Sequence, residues 1–204
     1  MLLTKLFKFV ITTSRIYNID ESHGLGHSMN VLNFANKIIN SEIIKNPYLN
    51  NQRNIIYTSS IVHDMCDKKY ITVNEGISNI KYLLKDEISM NELDVITKII
   101  TTMSYSKVKV DGFPYLNEYQ LAYNIVRESD LLTSYDFDRC IIYKMYVNNY
   151  TIIEAYKDAV NLFENRVFKY NDDNLLLLDY SKNISKSLEK ESKLRINNWK
   201  NILL

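Results

Sequence analysis

The sequence predicts an all-helical protein, and three observations predict it. Apolar residues recur at three- and four-residue spacing through most of the 204 residues, the period of one helix face. Period-two alternation, the mark of a half-buried strand, is rare and short. Only Ser104 to Leu116 interrupts the helical pattern at length, with Asp111, Gly112 and Pro114 gathered in it, so it reads as the longest loop.

The elements follow in order. Met1 to Val10 reads as an amphipathic first helix: Lys5 and Lys8 break its apolar residues, and it lacks the apolar centre and small-residue cleavage site of a signal peptide. From His27 to Ile43, Val31, Phe34, Ala35, Ile38 and Ile39 share one face, with Ser22 as the expected N-cap. A helix over about 51–64 carries Ile55, Ile56, Ile61 and Val62 on more than one face, as a central buried helix does. Helices are expected near 76–86 and 91–103, the latter with Leu93, Ile96, Ile99 and Ile100 in register. They resume at 117–132, 136–147 and 151–169. Asn171 to Asn174 reads as a turn. A long C-terminal helix follows, with Ile184, Leu188, Ile196, Trp199 and Leu203 on one stripe and a lysine-rich opposite face.

Composition bounds the rest. With 46% hydrophobic and 24% charged residues, the chain can build one sizeable core, and no linker divides it, so the expectation is one domain over 1–204. A net charge of +1 gives no electrostatic case for bulk nucleic-acid binding or for a membrane partner. No apolar run reaches the length of a bilayer span. Two cysteines, Cys66 and Cys140, are too few for a disulfide framework and fit a reducing, cytoplasmic setting. The excess of Asn, Ile, Lys and Tyr looks like the mark of an AT-rich genome.

The chain has three histidines, His23, His27 and His63, and the last is followed at once by Asp64. His27 lies four residues before Val31 and eight before Ala35, so it points along the buried stripe. His63 continues Ile56 and Ser59 toward the interior. Asp130 lies four after Val126 and eight after Ala122. A carboxylate on an apolar face is costly unless it is paired or metal-bound, and one divalent cation would satisfy these residues together. Mixed imidazole and carboxylate donors suit Mn, Fe, Co, Mg or Zn. An inward histidine that is simply hydrogen-bonded in the core is the plainer alternative.

Three segments carry a resemblance. S-H-G-L-G-H-S-M-N-V (22–31), I-V-H-D-M-C-D-K-K (61–69) and I-V-R-E-S-D-L-L (125–132) resemble the ordered H…HD…D signature of the HD phosphohydrolase superfamily. The likeness spans about 15–140, with 141–204 expected as C-terminal helices packed on that core. It implies a helical bundle around one metal held by His27, His63, Asp64 and Asp130. His27 rather than His23 is the matching ligand, because the motif's H-x-x-x-V begins there. No histidines remain for a second metal. M-S-Y-S-K (103–107) looks like a segment of the small nucleotide pyrophosphohydrolases of that superfamily. The expected reaction is therefore hydrolysis of a nucleoside triphosphate to the monophosphate and pyrophosphate. That branch usually shows D-A-D-R-L-D around the last ligand, where this chain has Glu128, Ser129, Asp130, Leu131, Leu132 and Thr133. Two alternatives stay open: hydrolysis of a nucleoside monophosphate or an alarmone, and a non-catalytic HD-fold binding module.

Around the expected metal, Asp67 could orient or deprotonate the attacking water or be a turn acid. His23 could move a proton, bind phosphate or support its neighbours. Lys68, Lys69 and Lys107 could neutralise phosphate charge or be solvated surface. Tyr105 could stack on a base or fill the core. Arg127 and Arg139 are further cations with no argument from position.

Overall fold

A computed structural model describes residues 1–203. Its elements are α1 (Leu2–Ile16), α2 (Leu25–Glu42), α3 (Leu49–Val62), α4 (Val73–Leu84), α5 (Met90–Thr102), α6 (Tyr105–Asp111), α7 (Gln120–Thr133), α8 (Phe137–Asn148), α9 (Ile152–Asn165) and α10 (Asp179–Leu203). Short 3-10 turns lie at His63–Cys66, Asn117–Tyr119 and Val167–Lys169. No strand occurs among the described residues, so the protein is all-helical as expected. None of these helices is long and apolar enough to cross a membrane.

The site rests on three mutually packed helices, α2, α3 and α7. Val31, Ala35, Ile38 and Ile39 are buried on α2. Helix α3 is buried on almost every side, at Leu49, Ile55, Ile56, Thr58, Ser59, Ser60, Ile61 and Val62. Its small hydroxyl residues at 58–60 are fully buried and let neighbouring helices approach closely. Helix α7 is similar, and its buried set includes the charged pair Arg127 and Glu128. Glu128 accepts hydrogen bonds from the Leu177 and Leu178 backbone N–H groups at 2.8 and 3.2 Å. One buried carboxylate thereby ties the chain entering α10 to the helix that carries Asp130.

Start and stop signals explain several boundaries. Ser89 with Glu92, and Thr151 with Glu154, form reciprocal capping boxes at α5 and α9. Asp136 accepts from the Arg139 N–H and caps α8. Asn149, in the left-handed region at φ 52°, ends that helix. Helix α4 begins three residues earlier than expected because Thr72 caps it through the Glu75 N–H. Gly76 therefore sits inside α4, where a Cβ would lie 2.6 Å from the Cα and Cβ of Cys66. Only glycine lets α4 come that close to the His63–Cys66 turn.

Four expectations change. Ser104 to Leu116 is not one loop, since α6 occupies most of its first half. Ser22 does not cap α2: Gly24 holds the N-cap position with no side-chain bond, and Ser22 is engaged elsewhere. The helix expected to run through Asp64 tightens at His63 into a 3-10 turn. Helix α9 stops at Asn165, and Arg166 at φ −137° and ψ −61° breaks it before the next 3-10 turn. On α10 the apolar stripe packs partly buried against the core, while the fully inward residues are Ser181, Ser185 and Ser192.

Candidate metal centre

His27 projects from the first turns of α2, His63 and Asp64 from the 3-10 turn after α3, and Asp130 from the last turn of α7. The packing of α2, α3 and α7 brings these positions, up to 103 residues apart in sequence, to one point. Donor atoms of His27, His63 and Asp64 all lie within 4.8 Å of one another. His27 Nε2 is 3.0 Å from His63 Nε2. Asp64 Oδ2 is 3.2 Å from both nitrogens. Asp130 Oδ1 is 3.3 Å from His27 Nε2 and 3.7 Å from His63 Nε2.

The outer ring nitrogens decide what these atoms are. His63 Nδ1 faces the Ser60 carbonyl at 2.9 Å, so it carries the proton and donates. Thr133 Oγ1 donates to the Asp130 carbonyl at 2.7 Å, which leaves its oxygen to accept from His27 Nδ1 at 3.4 Å. Both Nε2 atoms of the neutral rings therefore present lone pairs inward, an orientation that protein acceptors commonly impose on metal-binding histidines. Two lone pairs and two carboxylates then face one another. Asp64 Oδ2 is also buried with no hydrogen-bond partner. Such a cluster needs a positive charge at its centre.

Without a metal, a proton serves beside the Arg139 guanidinium, which stands 3.3 Å from His27 Nε2. Burial alone would favour neutral His63, but the charges of the Asp64 and Asp130 carboxylates beside it hold its pKa well above the ordinary value. Burial would likewise raise Asp64, and the charges of His63 and His23 hold it well below the carboxylate range. Asp130 is depressed in the same way, the neighbouring His27 and His63 rings outweighing its burial. A divalent cation fits the same place. Donors about 2.1 Å from a common ion stand roughly 3.0–3.4 Å apart, matching the separations among His27, His63 and Asp64. This group can hold a metal ion.

A cavity of about 220 Å³ opens beside the centre. Asp64 and Asp130 reach it, and His23, Asp67 and Lys69 line it as the sequence suggests. Lys68 and Lys107 do not line it. Lys68 is exposed, and the exposed Lys107 donates to the Thr101 carbonyl. Arg127 is sequestered with Glu128 at 3.3 Å. The other cations at the cavity are Arg139 and Arg166. Arg139 donates through Nε to the Ser22 carbonyl and stands 3.3 Å from His27 Nε2 through a terminal nitrogen. Tyr105 does not present a free ring, because the Arg166 guanidinium lies 4.0 Å from its centroid.

His23 is held by a buried network that the sequence pattern does not show. Asp20 accepts from Ser22 Oγ, from the Ser22 N–H at 2.9 Å and from Tyr70 OH. Burial would raise the Asp20 pKa, and bonds from His23, Ser22 and Tyr70 hold it far below the carboxylate range. Both hydroxyls give their protons to Asp20. Ser22 Oγ, 2.7 Å from His23 Nδ1, is thus left to accept from that nitrogen. The remaining nitrogen, Nε2, faces Lys69 Nζ at 3.5 Å. Asp67 is paired with Lys69, accepting from its N–H at 3.0 Å and lying 3.3 Å from its Nζ. The one local clue in the sequence was Asp20, two residues before Ser22 and three before His23, a spacing that suits a side chain bonding forward to the backbone.

No protein-family model matches this chain, and no curated protein sequence does. Its fold is similar to that in the crystal structure of a Lactobacillus plantarum protein, a Northeast Structural Genomics target. The TM-score is 0.73 at 18% sequence identity, with 98% of this chain and 95% of that chain covered. That likeness is one of fold.

Proposed function

We propose that the protein is a metal-dependent phosphohydrolase that converts a nucleoside triphosphate to the monophosphate and pyrophosphate. The observation that carries this reading is the convergence of His27 Nε2, His63 Nε2 and Asp64 Oδ2, with Asp130 Oδ1 beside them, at a cavity that also holds Lys69, Arg139 and Arg166. Imidazole and carboxylate donors beside cations are what a phosphate substrate and a divalent ion need together. The resemblance of residues 22–31, 61–69 and 125–132 to the HD signature points the same way.

When bound by His27, His63, Asp64 and Asp130, a divalent ion such as Mn, Mg, Co, Fe or Zn would polarise a phosphoryl oxygen and acidify water. The protein's own groups do the rest. Water attacks the α phosphorus, a P–O bond forms, and the bond from the α phosphorus to the bridging oxygen breaks. The electron pair leaves with pyrophosphate. The water proton goes to His23 or Asp67. With its proton on Nδ1, His23 keeps a lone pair on Nε2 that accepts from the Lys69 ammonium, so Lys69 turns aside as the proton arrives, and Asp20 supports the imidazolium that forms. Asp67, tied to Lys69, keeps that ammonium at the cavity wall.

The test is a screen of purified protein with each metal against nucleoside mono-, di- and triphosphates, with pyrophosphate and phosphate detected separately. Pyrophosphate formed from triphosphates, with no early phosphate, is the expected result. Phosphate formed only from monophosphates would replace this reading with a phosphatase. Metal binding without turnover of any nucleotide would replace it with a binding module.

A further inference from the structure

Arg139 and Arg166 share an unusual property among the cavity residues. Neither pairs with a carboxylate among the described residues, although Asp64, Asp67, Asp130 and Asp136 line the same cavity. The buried Arg127 has Glu128, and Arg195 has Asp138 in a contact from two of its nitrogens. Arg166 is the plainer case. The chain leaves helical geometry at this residue, the half-buried guanidinium lies against Tyr105, and Nε is buried with no hydrogen-bond partner. Stacking on an aromatic face holds a guanidinium by its plane and leaves its N–H edge for a planar or tetrahedral anion. Tyr105 begins α6 and Arg166 ends α9, so two separate elements build this one arrangement.

We propose that Arg166, held against Tyr105, and Arg139, beside His27, form an anion site for the pyrophosphate portion of a polyphosphate chain. This rests on the phosphohydrolase reading for the orientation of the chain: the reacting phosphorus at the metal ligands, the leaving pyrophosphate against the guanidiniums. Arg139 stands at the metal end, 3.3 Å from a metal-binding nitrogen, and Arg166 at the Tyr105 wall. Two linked phosphates offer more anionic oxygens than one, enough for each guanidinium to take its own. The cavity size agrees. At about 220 Å³ it is smaller than the roughly 300–1,000 Å³ that encloses a drug-sized ligand, so it takes the phosphate end and leaves the nucleoside toward the mouth.

The experiment is calorimetric titration of the full chain with inorganic pyrophosphate and, separately, inorganic phosphate, at fixed Mg²⁺. Mn²⁺ affinity is measured independently on each variant. Pyrophosphate is expected to bind at least about tenfold more tightly than phosphate, the gain from one further charge-assisted contact. Arg166→Gln should remove about tenfold or more of pyrophosphate affinity and leave Mn²⁺ affinity within about twofold. Arg166→Lys should restore only part of it, because a lysine lacks the flat fork. Lys107→Ala, outside the cavity, should change neither. Circular dichroism checks that each variant is folded, and Arg139→Gln gives a second test, with weaker pyrophosphate binding and no loss of Mn²⁺ affinity expected. Equal affinities for the two anions, or wild-type pyrophosphate binding by folded Arg166→Gln or folded Arg139→Gln, would overturn the proposal. If pyrophosphate binds as described and no nucleotide is hydrolysed, the anion site stands and the hydrolase reading falls. If triphosphates are hydrolysed while Arg166→Gln binds pyrophosphate normally, the anion site falls alone.

Discussion

Gly76→Ala tests how α4 supports the turn that carries His63 and Asp64. The added methyl would lie 2.6 Å from Cys66 Cα and Cβ and 2.8 Å from the Met65 carbonyl oxygen. Carbon atoms in contact prefer about 3.5–4.0 Å, so roughly 1 Å must be absorbed. The obstacles are mostly backbone and cannot rotate away. Cys66 and Met65 belong to the same 3-10 turn as His63 and Asp64, so the turn or α4 has to shift. Overpacking of this kind costs about 1–3 kcal/mol, partly offset by about 1 kcal/mol of helix propensity gained over glycine. The net change in stability is therefore small, from near zero to about 2 kcal/mol, or up to roughly 8 °C in Tm for a chain of this size. Metal binding should suffer more, because a displacement near 1 Å in a site can cost about 100-fold in its performance. The assay is Mn²⁺ titration beside thermal unfolding of wild-type protein, Gly76→Ala and Gly26→Ala. Position 26 has nothing within 4 Å of a Cβ, so Gly26→Ala should bind Mn²⁺ normally and unfold no earlier. Wild-type Mn²⁺ affinity in Gly76→Ala would refute the claim that this close approach positions the ligands.

Three further outcomes follow from the same geometry. Glu128→Ala leaves Arg127 buried and two N–H groups of Leu177 and Leu178 without their acceptor. It should cost about 3–5 kcal/mol, read from urea unfolding, and a loss below about 1 kcal/mol would contradict the role given to this pair. The metal-free protein should be most stable below the ordinary histidine pKa. His63, raised in the fold, contributes fully below pH about 6.5 and loses that contribution as pH rises through its folded value. Asp64 and Asp130, depressed in the fold, contribute above about pH 4 and lose it as pH falls. Tm of chelator-treated protein should thus decline from about pH 6 upward, and a divalent ion should raise Tm more at pH 8 than at pH 5.5; equal increments at both would count against it. Asp20→Asn removes the charge that accepts from Ser22 and Tyr70 and should lower kcat with little change in Mn²⁺ affinity. An unchanged kcat–pH profile would show that Asp20 does not act through His23.

Much of the framework was legible because burial repeats with the helical period. Val31, Ala35, Ile38 and Ile39 on α2 and Leu93, Ile96 and Ile99 on α5 are buried, as their spacing predicts. The same faces carry His27 inward and bring Asp130 to the cavity. Helix α6 was hidden because seven residues are too few to establish a period and Gly112 and Pro114 punctuate the stretch just after it. Arg139 and Arg166 were hidden for a different reason. A solitary arginine carries no periodic signal, and these two reach the cavity only because α8 and α9 pack together and α9 breaks at residue 166. The contact of Tyr70 with Asp20 spans 50 positions and has no local trace. Sequence proximity to Asp64 does not place a lysine at the cavity: Lys69 lines it while Lys68 beside it does not, since adjacent residues in a turn diverge.

The central claim is that His27, His63, Asp64 and Asp130 hold one divalent cation. Its most direct test is native mass spectrometry of Mn²⁺-loaded wild-type and Asp64→Ala protein, both shown to be folded. Removing Asp64 deletes the oxygen that stands 3.2 Å from both histidine nitrogens and has no hydrogen-bond partner. The account predicts one ion per wild-type chain and none retained by Asp64→Ala. Equal metal content in the two proteins would contradict it.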